Sequence, residues 1–294
     1  MNTVRSHGGP VWESGICNGE YYYMGCTGMQ YQDTITSVII SYGIEEIGEA
    51  TFMGTVALTA ISIPDSVTRI DHDAFYKCKN LTSITIPNSV TDIDSVFYEC
   101  SSLTNITIPN SVTSMDYAFS CCTSLTNITI PDSVTSIEGA FEGCTSLSNI
   151  TIPNSVTSMD YAFYDCTSLT NITIPNSVTS IKRAFRYCTS LTNVTIPDSV
   201  KNIEGAFSGC TSLRSITIPN SATNIGDSTF RGCTRLTSII IPDSVTSIGN
   251  DTFEKCTSLT TVNYTGTEEQ WENITVGTGN DPLTSATIVY NYKE

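Results

Sequence analysis

Residues 105–119 read NITIPNSVTSMDYAF, and residues 149–163 repeat all fifteen letters without a change. A close variant, NITIPDSVTSIEGAF, occupies residues 127–141, halfway between the two identical copies. Because the three segments follow one another at intervals of 22 residues, the chain is predicted to consist of a short unit repeated along its length.

The repeat extends well beyond these three copies. Aligned on its proline, each unit reads L-T-x-I-x-I-P-x-S-V-T-x-I-x-x-(x)-A-F-x-x-C-x-S. A phenylalanine marks each of ten units of 22 or 23 residues, and a leucine follows it by six positions; the phenylalanines stand at 52, 75, 97, 119, 141, 163, 185, 207, 230 and 253. A period of this length predicts a solenoid.

One unit shows why the units must stack. Ile128 and Ile130 alternate with polar neighbours, which is the period of a half-buried strand, and Pro131 ends that strand. Val134 and Ile137 form a second apolar pair. A single unit cannot bury enough apolar surface to fold alone, whereas stacked units share strand hydrogen bonds and cover one another. We expect equivalent phenylalanines to stack at the strand spacing of about 4.8 Å.

The pattern L-x-x-I-x-I-P-x-S-V-x-x-I-x-x-x-A-F-x-x-C, present from about residue 36 to residue 264, resembles the BspA-like, or Treponema-type, leucine-rich repeats of bacterial cell-surface proteins. The resemblance implies a right-handed leucine-rich-repeat superhelix of ten repeats, with one parallel β-sheet and a second row of short strands or turns. It divides the chain into an N-terminal cap or tail (1–35), a solenoid (36–264) and a C-terminal cap (265–294). Within the last segment, Thr267 and Gln270 are spaced as a helix capping box, and Trp271 would cover the last coil.

Net charge and hydrophobicity indicate which partners and which membrane associations are not expected. The net charge of −16 disfavours nucleic acid and anionic membrane surfaces. No apolar run is long enough for a transmembrane helix, so no membrane insertion is expected. No signal peptide is visible behind Arg5, as would also hold for a chain from which a signal had been removed.

Nine cysteines stand three residues after a phenylalanine. They could form a ladder of disulfides or metal sites, but equivalent positions in a stack project in parallel and rarely meet disulfide geometry. No C-x-x-C pair is present. We therefore expect a column of small buried thiols, and no cofactor. Pairing of Cys17 with Cys26 stays open, and Cys121 is expected to point away from Cys122 and to be exposed.

No catalytic site is predicted. Of the two histidines, His72 lies between Asp71 and Asp73, an arrangement more typical of a solvated turn than of a catalytic pair. No nucleophile elbow, phosphate loop or H-E-x-x-H motif occurs. The chain is therefore predicted not to be an enzyme.

A column of mostly acidic residues follows the second inward isoleucine or methionine: Asp94, Asp116, Glu138, Asp160, Lys182 and Glu204. Stacked carboxylates about 5 Å apart repel one another, by roughly 0.8 kcal/mol per pair in water. A bridging calcium ion would relieve that repulsion. Splayed, solvated side chains would do so as well, and we favour them and predict no metal site.

Two surfaces are candidates for binding a partner. The residues of the first, the variable edge, change from unit to unit. They lie in a block of six 22-residue units, and because the units on either side of this block are longer, the local twist should change there. The variable edge comprises Asp116, Tyr117, Asp160, Tyr161, Lys182, Arg183, Arg186 and Tyr187. Tyrosine and arginine are favoured at interfaces, although ordinary drift on a solvated edge would also produce such variation. The second, the strand face, comprises Asn127, Thr129, Asn149, Thr151, Asn171 and Thr173.

The family resemblance implies a cell-surface or secreted protein that binds a surface or matrix protein of a host or neighbouring cell, as an adhesin does. A structural spacer, which could also associate with itself, is a second hypothesis. A carbohydrate- or calcium-binding repeat protein is a third. The step from family to function is made by analogy.

Overall fold

The computed structural model describes residues 33–293 and the backbone of four short strands that precede them. The chain divides into two compact halves, Met1–Leu147 and Ser148–Glu294. The predicted N-terminal cap lies almost wholly outside residues 33–293, as do the side chains of Cys17 and Cys26. The division of the chain into residues 1–35, 36–264 and 265–294 stays a prediction.

The regular elements described in the N-terminal half are short strands. Its strands are β1 (Arg5–Ser6), β2 (Pro10–Val11), β3 (Gly15–Cys17), β4 (Glu20–Tyr22), β5 (Ser37–Ile39), β6 (Glu46–Ile47), β7 (Ala60–Ser62), β8 (Arg69–Ile70), β9 (Ser83–Thr85) and β10 (Asn105–Thr107). The pairs β1–β2, β3–β4 and β3–β5 are antiparallel. The repeat itself pairs in parallel, as β5–β7, β6–β8 and β9–β10.

The C-terminal half continues the parallel pattern in two rows. The first row contains β11 (Asn171–Thr173), β12 (Asn193–Thr195), β13 (Ser215–Thr217), β15 (Ser238–Ile241), β17 (Thr261–Tyr264) and β19 (Thr287–Val289). The second row contains β14 (Asn224–Ile225), β16 (Ser247–Ile248) and β18 (Thr275–Val276). Two short helices follow the last repeat, α1 (Glu268–Glu272) and α2 (Asp281–Thr284). The predicted parallel solenoid with a second row of short strands is confirmed.

The length of a repeat decides how its second row is built. The 23-residue repeats contribute two-residue strands, such as β6, β8, β14 and β16. In the 22-residue repeats the second row is reduced to single bridges, for example Ser114 with Ser136 and Ser158 with Ser180. The extra residue therefore lengthens the second row, and the predicted change of local twist stays untested.

One strand prediction is wrong. Residues 127–130 and 149–152, expected to be strands, form none. Ile128 and Ile130 are nevertheless buried, while Asn127 and Thr129 are exposed. Burial needs only the alternation of apolar and polar side chains, whereas a ladder also needs two backbones at hydrogen-bonding distance.

Phenylalanines form a stack in the core of each half. Ring centroids of successive coils lie 5.2–5.9 Å apart from Phe52 to Phe141 and 5.5–5.8 Å apart from Phe163 to Phe253. The rings are within 22° of parallel, and they are buried. Their separation exceeds the expected strand spacing because the rings are offset rather than placed directly above one another.

The residues after the last repeat are arranged as the sequence predicts. Thr267 Oγ1 accepts a hydrogen bond from the Gln270 amide at 3.2 Å, and Gln270 Oε1 accepts one from the Thr267 amide at 2.8 Å. Trp271 packs edge-on against buried Tyr264, with ring centroids 5.1 Å apart. No helix in residues 33–293 has the length and apolar character needed to cross a membrane.

Candidate functional site

The cysteine column joins neighbouring coils. Each thiol for which a bond is resolved donates to the carbonyl of the phenylalanine one coil earlier; for Cys78 and Phe52 the separation is 3.1 Å. All nine column cysteines are buried thiols, as predicted. Burial raises the pKa of Cys78 and of Cys256 to about 12, although a backbone hydrogen bond partly opposes the shift. Cys121, which the sequence predicts to be exposed, is half-buried. Its side chain lies against Gly143 of the next coil, which covers part of it.

Asp94, Asp116 and Asp160 of the acidic column each accept hydrogen bonds from the next coil, and we call this set of bonds the ladder. Asp116 Oδ1 accepts bonds from Ser136 Oγ at 2.7 Å and from the Glu138 amide at 2.8 Å, both in the next coil. Asp94 and Asp160 repeat this arrangement. Burial raises the pKa of Asp94, and the hydrogen bond from Ser114 opposes that shift.

These three carboxylates therefore do not splay into solvent, and that interpretation needs correction at Asp94, Asp116 and Asp160. The aspartate side chain is short enough to reach a hydroxyl and an amide of the next coil. Those two donors supply the stabilisation that a cation would otherwise give. Within residues 33–293, no group of three His, Cys, Asp or Glu side chains is arranged to hold a metal ion.

The strand face is uniform. Asn127, Asn149, Asn171 and Asn193 each donate from Nδ2 to the hydroxyl of the preceding residue, at 3.2–3.4 Å. In the C-terminal half these asparagines and the threonines two positions later line a shallow groove of about 330 Å³, formed by residues 149–151, 171–173 and 193–195.

Four residues of the variable edge have a left-handed backbone conformation, which directs their side chains toward the next coil. Tyr117, Tyr161, Arg183 and Tyr187 all have φ between 52° and 63°. In three places such a side chain lies over a glycine of the next coil: Tyr117 over Gly139, Arg183 over Gly205 and Tyr187 over Gly209. A Cβ on these glycines would meet the overlying side chain. The alternation of a large residue with glycine is visible in the sequence, but sequence reasoning treated it as surface variation.

Several predicted edge residues come together in the C-terminal half. Arg183 Nη1 donates to Tyr161 Oη at 3.2 Å, and the guanidinium lies 5.7 Å from the centre of the Tyr161 ring. Lys182 Nζ is 3.3 Å and Arg183 Nη2 is 4.0 Å from Glu204 Oε1. Asp160 and Asp116 both belong to the ladder. Asp116 and Tyr117 lie in the N-terminal half of the chain.

Arg186 is the centre of a second group, which we call the Arg186 cluster: Tyr164, Arg186 and Tyr187. The guanidinium lies 5.8 Å from the Tyr164 ring centre and 4.9 Å from that of Tyr187. Arg186 Nη2 donates to Tyr187 Oη at 3.1 Å, and the two rings are perpendicular with centroids 5.6 Å apart. Sequence reasoning missed Tyr164, which stands three residues after Tyr161 and points to the same edge.

His72 is placed as expected for a solvated turn. Its side chain is 62% exposed, and its nearest carboxylate is that of Glu49, at 3.9 Å. Arg69 Nε pairs with Asp71 at 2.6 Å. Arg69, Asp71 and His72 border a polar cavity of about 490 Å³, formed by residues 68–72, 91, 92 and 94.

Comparisons with known proteins support the interpretation of the repeat. The model of the BspA type leucine rich repeat region, which spans six copies, matches residues 27–138, 115–205 and 159–275. A leucine rich cell surface protein from Faecalibacterium prausnitzii is 36% identical, with a TM-score of 0.58, over 82% of this chain and 76% of that one. A comparison with curated proteins found no match.

Two more distant structures share the fold. A leucine-rich repeat protein from Eubacterium ventriosum is 20% identical over 90% of this chain and 85% of that one, with a TM-score of 0.57. The pneumococcal vaccine antigen PcpA is 16% identical over the full length of both chains, with a TM-score of 0.54. The family match covers far more than half of the sequence, and the chain belongs to the BspA-type leucine-rich-repeat family.

Proposed function

We propose that this chain is the protein-binding module of a bacterial cell-surface or secreted protein. In this proposal it acts as an adhesin toward a surface or matrix protein of a host or neighbouring cell. Family membership supports the proposal, as does the similarity to the F. prausnitzii cell surface protein. The net charge of −16 favours a protein over a nucleic acid as the partner.

One observation carries the choice of surface: the variable edge of the C-terminal half combines tyrosines and arginines that are already held in place. Arg183 is fixed by Tyr161 and Glu204, and Arg186 by Tyr164 and Tyr187. Tyrosine and arginine contribute most to binding at interfaces. Side chains ordered before binding lose less conformational entropy when a partner arrives.

The strand face supports a second candidate function, carbohydrate binding. Along the groove of about 330 Å³, in-register residues such as Asn171 and Asn193 present equivalent amide groups, and Thr173 and Thr195 present equivalent hydroxyl groups. Each Nδ2 donates a hydrogen bond to the hydroxyl of the preceding residue. The side-chain carbonyl oxygens are therefore available as acceptors for sugar hydroxyls.

Binding measurements with matched variants test the proposal. The full chain would be screened by surface plasmon resonance against a panel of extracellular-matrix proteins. Tyr161→Ala with Arg183→Ala removes part of the variable edge, and Asn171→Ser with Asn193→Ser changes the strand face. We expect saturable binding to at least one panel protein, weakened about tenfold or more by the edge variant alone.

Two outcomes would contradict the proposal. Absence of saturable binding across the panel would favour a structural spacer. Binding that is lost in the strand-face variant and kept in the edge variant would move the site to the Asn and Thr groove. Thermal melts of both variants would show that the fold is retained.

A further inference from the structure

We propose that Arg186 is the docking point for a single carboxylate of the protein partner, framed by the rings of Tyr164 and Tyr187. The inference rests on the proposed function and adds the chemical class of group that the variable edge recognises. It is carried by the state of the Arg186 guanidinium, which differs from that of every other Lys or Arg that the structure describes.

Most cations of the chain either have a carboxylate nearby or lie exposed. Arg69, Lys77, Lys182, Arg183, Arg231 and Lys255 each have a carboxylate oxygen within 4.0 Å. Lys79, Lys201, Arg214, Arg235 and Lys293 are exposed. Within residues 33–293, Arg186 is the one Lys or Arg that is partly sheltered from solvent and has no carboxylate within that distance.

A matched comparison shows that the position itself does not impose this state. Arg231 also directly follows the phenylalanine of its coil, two repeats after Arg186. Its Nε lies 2.5 Å from Glu254 Oε2. Arg186 instead faces aromatic rings, in a chain that carries 29 acidic residues against 13 basic ones. A guanidinium without a counter-ion is therefore not explained by a shortage of acids.

The surroundings of Arg186 prepare it for an anion. Nε is buried and has no hydrogen-bond acceptor among the described residues. Tyr187 Oη takes one Nη2 proton, which leaves the Nη1 protons and the second Nη2 proton for a carboxylate. Flanking rings exclude water from part of the guanidinium, which strengthens a charge-assisted hydrogen bond to a carboxylate. The planar guanidinium also matches the two oxygens of a carboxylate, whereas a lysine ammonium would offer only a point charge.

A single carboxylate fits this edge better than a polyanion does. Lys182 and Arg183, the neighbouring cations, already share Glu204. No Lys or Arg occurs between Lys79 and Lys182, so a long sulfated polysaccharide would meet a largely acidic surface. Tyr164 and Tyr187 add aromatic area beside the charge. The partner group is therefore an Asp, Glu or chain-terminal carboxylate next to an aromatic or aliphatic side chain.

Two synthetic peptides test the inference without requiring the physiological partner. The probes are acetyl-Gly-Tyr-Glu-Tyr-Gly-amide and the same peptide with Gln in place of Glu, titrated into the full chain at low salt. The protein variants are Arg186→Ser and, as a control with the same change of charge, Arg231→Ser. Serine suits the column because Ser208 holds the equivalent position in the coil after Arg186.

We expect wild type to bind the Glu peptide at least about tenfold more tightly than the Gln peptide. Arg186→Ser should remove that difference, and Arg231→Ser should keep it. Equal affinity of wild type for the two peptides, or no binding at millimolar peptide, would overturn the inference. An equal effect of the two arginine variants would overturn it as well.

Three further outcomes complete the test, and the last two separate this inference from the proposed function. If wild type is retained on immobilised heparin and Arg186→Ser is not, the site recognises a sulfated polyanion and the single-carboxylate inference fails. If a matrix protein binds the variable edge but the two peptides are not distinguished, the inference fails while the adhesin proposal stands. If the Glu peptide binds through Arg186 but no matrix protein binds, the carboxylate site is supported and the adhesin proposal fails.

Discussion

The thiol of Cys122 donates a hydrogen bond to the backbone carbonyl of Phe97 in the preceding coil, with Sγ 3.2 Å from the oxygen. Equivalent bonds join Cys144 to Phe119 and Cys210 to Phe185, at 3.1 Å in both cases. The thiol thus fills an apolar space and gives a second donor to a carbonyl that already accepts from the Cys100 amide. Alanine would leave that carbonyl without this donor, which gives a physical reason for cysteine at this position.

Alkaline pH should unfold the chain. Burial raises the pKa of eight column cysteines, at positions 78, 100, 122, 144, 188, 210, 233 and 256. Above about pH 9 the unfolded thiols lose their protons while the folded thiols keep them, so stability falls as pH rises. We expect a loss of about 1.4 kcal/mol per thiol and per pH unit, or about 11 kcal/mol per pH unit for the eight together. This slope should hold until Cys78 and Cys256, whose pKa burial raises to about 12, begin to ionise in the folded chain. Urea denaturation in reducing buffer, repeated from pH 7 to pH 11, measures the free energy of unfolding at each pH.

A single substitution provides the control for that experiment. Cys144→Ala should lower stability at pH 7, because a buried contact and a hydrogen bond are lost. Because one titrating thiol is removed, the free energy of unfolding should also fall less steeply with pH, by roughly 1.4 kcal/mol per pH unit. A wild-type stability that stays flat from pH 8 to pH 10 would contradict the account of the cysteine column.

Alkylation should distinguish Cys121 from its neighbours. Cys121 is half-buried, whereas the nine column cysteines are buried. We expect iodoacetamide at pH 8 to label Cys121 before the nine column cysteines, since a buried thiol is both shielded and hard to ionise. Peptide mapping by mass spectrometry identifies the labelled sites, and labelling in urea shows that all of them can react. Labelling of Cys144 as fast as Cys121 in the folded chain would rule out the burial described for the column.

Removing Asp116 should destabilise the N-terminal half. Asp116→Ala leaves Ser136 Oγ and the Glu138 amide without their acceptor, at a cost of about 2 kcal/mol. Asp116→Asn keeps an oxygen and should cost less. Asp132→Ala, at an exposed position, makes the same change of charge and serves as control.

Calcium should not affect the stability of the chain, so thermal melts of wild type with added calcium and with EDTA should coincide. A calcium-dependent rise of Tm in wild type, absent from Asp116→Ala, would restore the calcium hypothesis.

Two glycines of one column should respond differently to alanine. Gly209 and Gly232 have φ of +78° and +74°, so alanine costs about 1 kcal/mol of backbone strain at either position. A Cβ at Gly209 would also overlap the Tyr187 ring, whereas at Gly232 its nearest contact is 3.9 Å away. Gly209→Ala should therefore lose about 1–3 kcal/mol more than Gly232→Ala in urea denaturation. Equal losses would show that Tyr187 does not lie over Gly209.

Much of the fold follows from the repeat alone. Each periodic position has a fixed neighbour one repeat away, so the phenylalanine stack, the buried thiols and the parallel strands could be predicted from spacing. The missing strand at residues 127–130 could not, since the pattern reports which side chains are buried and not how closely two backbones approach.

The candidate site was less accessible to sequence reasoning. The composition of the variable edge was visible, but its contacts depend on left-handed residues that direct Tyr117 and Tyr187 over the next coil. The role of Asp116 as an acceptor could not be predicted, because a cation site and a hydrogen-bonded ladder would both show the same column of acidic residues in the sequence. Tyr164 was missed because its importance comes from Arg186, one coil later.

Site-specific photo-crosslinking tests the central claim, that the variable edge is the binding surface, most directly. A benzophenone amino acid would replace Tyr187 on the variable edge in one protein and Asn171 on the strand face in another, and each would be irradiated with the matrix protein it binds. We expect crosslinks from position 187 and none from position 171. Crosslinks from position 171 alone would place the partner on the strand face and contradict this account.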